Sequence, residues 1–195
     1  MTIWCVGKNY QDHVAEMGGQ RPKEPVIFQK SSGCLLPYGL PISLPSWSAQ
    51  VHHELEIALK LDDQLAPISL ALALDLTARD VQSQAKSEGL PWTLAKSFRG
   101  ACPITPWIPL AGPQLKNWPA LTFELKVNSE LRQKGQGQNM IWPAREILTY
   151  LKKRFPLEPG DILLTGTPQG VGPLQSGDTL ELSLEGFEPW FWSVL

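Results

Sequence analysis

Three carboxylates in apolar surroundings are the residues of this sequence best suited to chemistry. Glu54 and Glu56 lie in VHHELEIALKL, whose apolar residues alternate as in a half-buried β-strand. Successive strand side chains point to opposite faces, so the two glutamates share one face, about 6–7 Å apart. Asp75 interrupts the apolar run ISLALALDLTARD just before an expected helix. Buried carboxylates need a compensating cation, so the three residues predict a hard oxygen site for Mg²⁺.

Each carboxylate also has a simpler structural explanation. The two glutamates could form the solvated face of an edge strand, although their neighbours Val51, Leu55 and Ile57 favour this less for a pair than for one residue. Asp75 could be a helix-entry residue that caps the following helix. The E-x-E pattern alone is a weak signal for a metal, and Asp75 strengthens it.

Further polar residues suit a site for an anionic oxygen. Lys96 lies in the apolar and aromatic stretch LPWTLAKSF, where an ammonium group is costly unless it meets an anion. The Gly-rich turn of LLTGTPQGVG offers backbone N–H groups and the Thr167 hydroxyl to a carboxylate or enolate oxygen. His13 and Glu16 are three apart on an expected helix, either as a surface pair or as an oriented general base.

Short β-like runs separated by turn residues must position these side chains. The pattern predicts strands at 3–6, 26–30, 52–61, 121–127, 161–166, 178–184 and near the C-terminus, with a hairpin turn at 127–130. Helices are predicted at 9–18, 77–89 and 143–155, with Thr77 as a cap candidate and Gly89 as a stop. We predict a β-rich α+β fold in a single domain, 1–195.

Composition and charge exclude several classes of protein. Hydrophobic residues make up 43% of the 195 residues, and the net charge is −2 with no basic run, so neither nucleic acid nor a membrane is an expected partner. The three cysteines are widely spaced without a CxxC pair, which suits a reducing compartment and gives no zinc signature. No apolar run approaches the length of about 18 residues that a membrane helix needs. We therefore expect a cytoplasmic protein.

Six motifs together resemble the fumarylacetoacetate hydrolase family. They are CVGKNYQDHVAEMG, HHELEIAL, LALDLTARDVQ, GLPWTLAKSF, VNSELRQKGQGQNMIW and LEPGDILLTGTPQGVGP. They cover nearly the whole chain and look most like the short, single-domain branch of acylpyruvate hydrolases and oxaloacetate decarboxylases. The resemblance implies a rolled mixed β-sheet of the family's C-terminal-domain type with a few short helices. It also implies a homodimer.

The resemblance assigns a role to each candidate residue. The three carboxylates would bind one divalent cation, Mg²⁺ or Mn²⁺. Lys96, Arg79 and Gln82 would surround the metal and the oxygens of the substrate, and Thr167 would hold the substrate carboxylate. The pair formed by His13 and Glu16 would lie on a lid, about 1–20, that orders over bound ligand and positions or deprotonates water.

The implied activity is that of a metal-dependent enzyme for small 2-oxo acids. The leading prediction is hydrolysis of a C–C bond in acylpyruvate-type 1,3-diketo acids through a metal-stabilised enolate. The alternative is decarboxylation of oxaloacetate or enol–keto tautomerisation of 2-oxo acids. A second alternative is a catalytically impaired homologue, because only 18 residues separate Glu56 from Asp75, fewer than the resemblance implies. The intact set of candidate residues favours an active enzyme.

Overall fold

The computed structural model describes residues 1–16, 18 and 20–195. Its strands are β1 (Thr2–Gly7), β2 (Val26–Ser31), β3 (Leu35–Pro37), β4 (Val51–His53), β5 (Leu55–Leu61), β6 (Pro67–Leu74), β7 (Thr77–Ala78), β8 (Cys102–Ile104), β9 (Ile108–Pro109), β10 (Thr122–Val127), β11 (Glu130–Gln136), β12 (Ile162–Leu164), β13 (Gly172–Pro173), β14 (Thr179–Leu184) and β15 (Trp190–Ser193). Its α-helices are α1 (Gln11–Glu16), α2 (Arg79–Glu88), α3 (Thr93–Lys96) and α4 (Ala144–Arg154). Within the described residues, no helix has the length and apolar character needed to cross a membrane.

The largest sheet is mixed and has eight strands. Its order is β2-β1-β12-β5-β6-β8-β3, with β9 beside β6. The pairs β1–β12 and β3–β8 are parallel, and the remaining pairs are antiparallel. Since β5 pairs with β12 on one side and β6 on the other, it is an interior strand. Glu56 therefore lies on an interior strand, and because Glu54 and Glu56 are both buried, the explanation as a solvated edge-strand face is wrong.

The strand predicted at 52–61 is two strands that belong to different sheets. β4 pairs with β13 and β7 in a three-stranded sheet, whereas β5 lies in the large sheet. The break falls at Glu54, whose carbonyl accepts a hydrogen bond of 2.8 Å from the N–H of Asp75. The apolar alternation continues through this residue, so the pattern alone could not show the break. Glu54 thus stands where the chain passes from one sheet to the other.

A tight hairpin between β5 and β6 brings Asp75 back to the two glutamates. Asp62 Oδ1 accepts the N–H groups of Gln64 and Ala66 at 2.9 and 2.8 Å, which closes the turn. The register then pairs Glu56 with Ala73. The short segment between Glu56 and Asp75 therefore consists of two directly paired strands. Glu56 and Asp75, which flank it, lie close together.

The β10–β11 hairpin confirms the predicted turn at 127–130. Asn128 and Ser129 have φ values of 52° and 67°, as a type I′ turn requires at both central positions. These strands belong to a second sheet, in the order β11-β10-β14-β15. Phe123, Leu125 and Val127 are buried on alternate positions of β10, so one face of this sheet packs into the core.

The helices begin and end close to the predicted positions, with one correction. Thr77 does not cap α2, because it lies in β7 and its hydroxyl donates to the carbonyl of Asp75 at 3.0 Å. Gly89 ends α2 at a φ of 69°, as predicted. Position 17 of the predicted helix at 9–18, and positions 17 and 19 of the expected lid, lie outside the described residues.

Candidate metal and substrate site

The two glutamates and Asp75 meet in one buried cluster. One carboxylate oxygen from each of Glu54, Glu56 and Asp75 lies within 4.8 Å of the others. Their exposed fractions are 6%, 2% and 0%. The chain break at Glu54 and the hairpin register together produce this convergence. Three buried hard oxygen donors at this separation are a suitable partial ligand set for a divalent cation that keeps further positions for water or substrate.

Two cations pair directly with Glu54. Lys96 Nζ lies 2.8 Å from Glu54 Oε2 and 2.5 Å from Asp75 Oδ2. Arg79 forms an ion pair with Glu54 Oε1 from the first turn of α2. The apolar setting that made Lys96 a candidate in the sequence is thus explained by two buried carboxylates that the ammonium group bridges.

Lys30 is a member of the site that the sequence did not reveal. It is fully buried on β2, and its ammonium group donates to the carbonyls of Leu76 at 3.1 Å, Ala101 at 2.9 Å and Lys96. The same nitrogen lies 2.8 Å from Asp75 Oδ1. The available signal was a lysine directly after the apolar residues of VIFQK.

Asp75 Oδ1 has an ammonium group beside it but accepts no aligned hydrogen bond. The three protons of Lys30 are committed to carbonyl groups, so its attraction for Oδ1 is electrostatic, without an aligned hydrogen bond. Among the described side chains, Oδ1 is one of the buried polar atoms without a hydrogen-bond partner. A buried acceptor of this kind is costly unless something occupies it. The chemistry of the cluster therefore fits a divalent cation.

The pKa values of the two glutamates shift in opposite directions. Burial opposes ionisation of Glu54, but Lys96 and Arg79 hold its pKa well below the ordinary value. Burial, followed by the charges of Asp75 and Glu54, raises the pKa of Glu56 well above its ordinary value. The N–H of Gly166, 2.6 Å from Glu56 Oε2, opposes this rise only in part. Glu56 is therefore the carboxylate that lacks a cation.

Arg79 and Gln82 line the cavity beside the cluster. Gln82 Oε1 accepts from Arg79 Nη1 at 2.7 Å and from Lys86 Nζ at 3.4 Å. Because its oxygen faces two cations, the amide NH₂ of Gln82 is the end left to donate into the cavity that both residues line. Both residues are thus placed next to the carboxylates.

Thr167 lines the same cavity, but its hydroxyl is already bonded. It donates to the carbonyl of Leu55 at 2.8 Å and accepts from Gln133 Nε2 at 2.8 Å. The hydroxyl proton is therefore unavailable to a substrate carboxylate while the Leu55 bond persists. The role that the resemblance implies for Thr167 stays a prediction.

His13 and Glu16 form an oriented pair on α1. His13 Nδ1 lies 2.9 Å from Glu16 Oε2, and Glu16 Oε1 accepts the N–H of Gly170 at 2.9 Å. A carboxylate only accepts, so Nδ1 donates to Glu16, and in the neutral tautomer with this bond Nε2 is the accepting nitrogen of the ring. His13 is only 6% exposed and lines the cavity with the carboxylates, so the surface-pair explanation does not hold for His13, whereas Glu16 is exposed.

Asn9 fixes the chain where it enters α1. Its amide donates to the carbonyls of Thr165 and Trp142 at 2.8 and 3.0 Å and accepts the N–H of Trp142. Gly166 has a φ of +94°, and a Cβ there would lie 2.6 Å from the Cβ of Asn9. Glycine is thus required at the point where the chain both supports α1 and presents an N–H to Glu56.

The cavity at the cluster is small. It has a volume of about 100 Å³ and is bounded by the carboxylates, by His13 and by Lys96. A neighbouring cavity of about 450 Å³ shares Val26, Phe28, Trp92 and Lys96 with it. A small acid can therefore be enclosed at the cluster, while a longer acyl group has an apolar and aromatic space beside it.

The family follows from the comparison with known domains. The model of the fumarylacetoacetate (FAA) hydrolase C-terminal domain matches residues 2–190. The chain belongs to the fumarylacetoacetate hydrolase family. Strong similarity to solved members confirms the predicted β-rich fold: a putative family protein from Yersinia pestis CO92 has a TM-score of 0.92 at 39% identity, covering 100% of this chain and 93% of that one.

Named relatives cover most of the chain. The mitochondrial oxaloacetate tautomerase FAHD1 of Bos taurus is 44% identical over 199 residues, covering 95% of this chain and 87% of its own length. The oxaloacetate tautomerase YcgM of Escherichia coli K12 is 42% identical over 198 residues, covering 94% and 88%. The fumarylpyruvate hydrolase of Pseudomonas aeruginosa, solved with Mn²⁺ and pyruvate, has a TM-score of 0.92 at 29% identity and covers 100% and 89%.

Proposed function

We propose that the protein is a divalent-metal-dependent tautomerase that interconverts the keto and enol forms of a small 2-oxo diacid of the oxaloacetate type. The observation that carries this proposal is the similarity, at 42–44% identity over 94–95% of the chain, to two proteins named as oxaloacetate tautomerases. This similarity supports the tautomerase alternative over hydrolysis, which the motifs alone favoured. Catalytic impairment is not needed to explain any residue of the cluster.

The charges of the cavity suit a dianionic substrate. Three cations, Lys30, Lys96 and Arg79, pair with Glu54 and Asp75 but not with Glu56. They equal the three carboxylates in number, and a divalent ion would add two further positive charges. Lys8 and Lys86 line the same cavity, and no ion pair found among the described residues involves either of them. An excess of positive charge in a small cavity favours an acid with two carboxylates.

Glu54, Glu56 and Asp75 would hold the metal. Mg²⁺ is the ion that an all-oxygen ligand set prefers, and Mn²⁺ accepts the same donors. A bound divalent cation would supply Lewis-acid polarisation of the 2-oxo acid at this site. The absence of a hydrogen bond to Asp75 Oδ1 among the described residues and the lack of an ion pair at Glu56 support this assignment.

The proton transfer at carbon is assigned to His13, and stabilisation of the negative charge on oxygen is assigned to Lys96. In the keto-to-enol direction, His13 Nε2 accepts the proton of the carbon next to the 2-oxo group, and the C–H electron pair becomes the C=C bond. The carbonyl oxygen gains the displaced electron pair beside the ammonium group of Lys96 and takes a proton from water, to which the His13 imidazolium returns the proton that it accepted. Glu16 holds the imidazole in the required tautomer and stabilises its cationic form. Gln82 is placed to donate to an oxygen of the substrate.

The proposal is tested by following the enol form of oxaloacetate in the ultraviolet. We expect its conversion to the keto form to accelerate in proportion to protein concentration, to stop in EDTA and to resume with Mg²⁺ or Mn²⁺. Analysis of the same mixtures for pyruvate separates tautomerisation from decarboxylation. Acceleration that is equal in metal-free and metal-loaded protein, or absent from both, would refute the proposal.

Replacing His13 with alanine should slow tautomerisation without affecting the metal. General-base assistance is worth about 10²–10⁴-fold, so kcat should fall within that range. The Mn²⁺ dissociation constant should stay unchanged, because the proposed ligands are the three carboxylates and do not include His13. Asp12→Ala, an exposed change on the same helix, is the control. Wild-type kcat in His13→Ala would show that another group is the base.

Hydrolysis of an acylpyruvate is a second candidate, favoured by the neighbouring cavity. The space beside Phe28 and Trp92 could take an acyl group that the 100 Å³ cavity excludes. The similar structure from Pseudomonas aeruginosa is described as a fumarylpyruvate hydrolase. Incubation with fumarylpyruvate and a short acylpyruvate, followed by identification of the acid products, measures this activity directly. Release of pyruvate from either substrate supports it, and recovery of intact substrate excludes it for the compounds used.

A further inference from the structure

Gln133 has a buried amide group that connects the second sheet to the strand carrying the carboxylate cluster. It lies on β11, is 1% exposed and uses both ends of its carboxamide. Oε1 accepts the N–H of Leu55 at 2.9 Å and lies 3.0 Å from His53 Nδ1. Nε2 donates to Thr167 Oγ1 at 2.8 Å and to the carbonyl of Pro168 at 2.9 Å. Four interactions fully satisfy the amide.

These contacts replace strand pairing that the large sheet does not supply. β12 pairs with β5 only at Ala58, Leu59 and Lys60, so Leu55 lies beyond the paired stretch on that side. There, the N–H of Leu55 is bonded to Gln133 and its carbonyl to the Thr167 hydroxyl. Two side chains thus hold the backbone of the one residue that separates Glu54 from Glu56.

We propose that Gln133 is a positioning residue, which holds Leu55 and Thr167 together so that the two glutamates and the loop at 165–168 keep the geometry of the site. A shift of the Leu55 backbone would move both glutamate side chains, because they flank it in the chain. Loss of the amide would also free the Thr167 hydroxyl to rotate. The role is indirect, since Gln133 does not line the cavity at the cluster.

The test compares Gln133→Met with Gln133→Glu. Methionine removes all four polar contacts, whereas glutamate keeps the two acceptor interactions, including that with the N–H of Leu55, and loses the two donors. A hydrogen bond within a protein changes an equilibrium constant by up to about tenfold, so a Leu55 backbone that loses its fixed position should weaken metal binding by a factor of this order. We therefore expect Gln133→Met to weaken Mn²⁺ binding by about tenfold or more and to lower kcat. Gln133→Glu should have a Mn²⁺ dissociation constant closer to that of the wild type, but a lower kcat for oxaloacetate.

We would measure the Mn²⁺ dissociation constant by calorimetry, kcat by turnover kinetics and Tm by thermal unfolding for each variant. Gln138→Glu, the same substitution at an exposed position, is the control. A purely structural role would lower Tm but leave the Mn²⁺ dissociation constant and kcat unchanged well below Tm, and this result would overturn the proposal. If Gln133→Met does not fold, Gln133→Glu decides, because wild-type kcat in that variant also overturns the proposal.

The proposal about Gln133 depends on the proposed function only for the measurement of kcat. If the wild type fails to act on oxaloacetate, the proposed function falls and Mn²⁺ binding still tests Gln133.

Discussion

Glu56→Gln should abolish the response to divalent cations without destabilising the metal-free protein. Glu56 is the carboxylate of the cluster that no cation neutralises, and burial raises its pKa. A neutral amide of the same shape removes the repulsion from Asp75 and Glu54 but leaves too few carboxylates to hold a cation that dehydrates reluctantly. Thermal unfolding with and without Mg²⁺ or Mn²⁺, together with oxaloacetate turnover, measures both effects. We expect no metal-dependent rise in Tm and no activity.

The pH dependence of this variant should differ from that of the wild type in a defined direction. A carboxyl group whose pKa is higher in the folded state than in the unfolded state contributes stability below its ordinary pKa, and that stability is lost as the pH rises through the folded value. Metal-free wild type should therefore lose stability above pH 4.5, the ordinary value for glutamate, and Glu56→Gln should lack this loss. If Mn²⁺ raised the Tm of Glu56→Gln as much as it raises that of the wild type, Glu56 would not be a ligand.

Metal binding should also release protons from the wild type. Glu56 must lose its proton to coordinate a cation, so Mn²⁺ affinity should rise with pH through the raised pKa. Titrations in two buffers with different ionisation enthalpies measure the number of protons released. This coupling follows from the unequal surroundings of Glu54 and Glu56, because only Glu54 already has cationic partners.

The sequence predicted the carboxylate cluster and the fold because local signals pointed to both. The E-x-E pattern and the interrupted apolar run before Asp75 were each visible within a few residues, and the six motifs ran in family order. The break at Glu54 was not visible, because the alternation of apolar residues passes through it. Pairing with different strands, rather than propensity, separates β4 from β5.

Lys30 and Gln133 were missed for a common physical reason. A lysine near a strand end and a glutamine in an exposed-looking hairpin both resemble solvated residues. Their burial depends on partners distant in the chain, such as the carbonyl of Ala101 for Lys30 and the hydroxyl of Thr167 for Gln133. The opposite pKa shifts of the two glutamates likewise arise from such partners. Sequence patterns report which face a side chain occupies, but they do not report what meets it there.

Asp75→Asn should destabilise the metal-free protein strongly, in contrast to Glu56→Gln. Asp75 faces two buried ammonium groups, Lys30 and Lys96, at 2.8 and 2.5 Å. Removing one partner of a buried ion pair costs about 3–5 kcal/mol, because the other charge stays buried without compensation. For a chain of this size that loss corresponds to a fall in Tm of about 6–20 °C. Thermal and urea unfolding in EDTA measure it, with the exposed Asp63→Asn as control.

A double variant distinguishes lost pairing from lost packing. In Asp75→Asn/Lys96→Met, one of the two uncompensated ammonium groups is gone, so the free energy of unfolding should fall by less than the sum of the two single changes. Strict additivity would mean that Asp75 and Lys96 do not stabilise each other in the folded protein. If Asp75→Asn alone left the metal-free Tm unchanged, the buried charges around Asp75 would have to be compensated elsewhere. The carboxylate would then matter for metal binding alone.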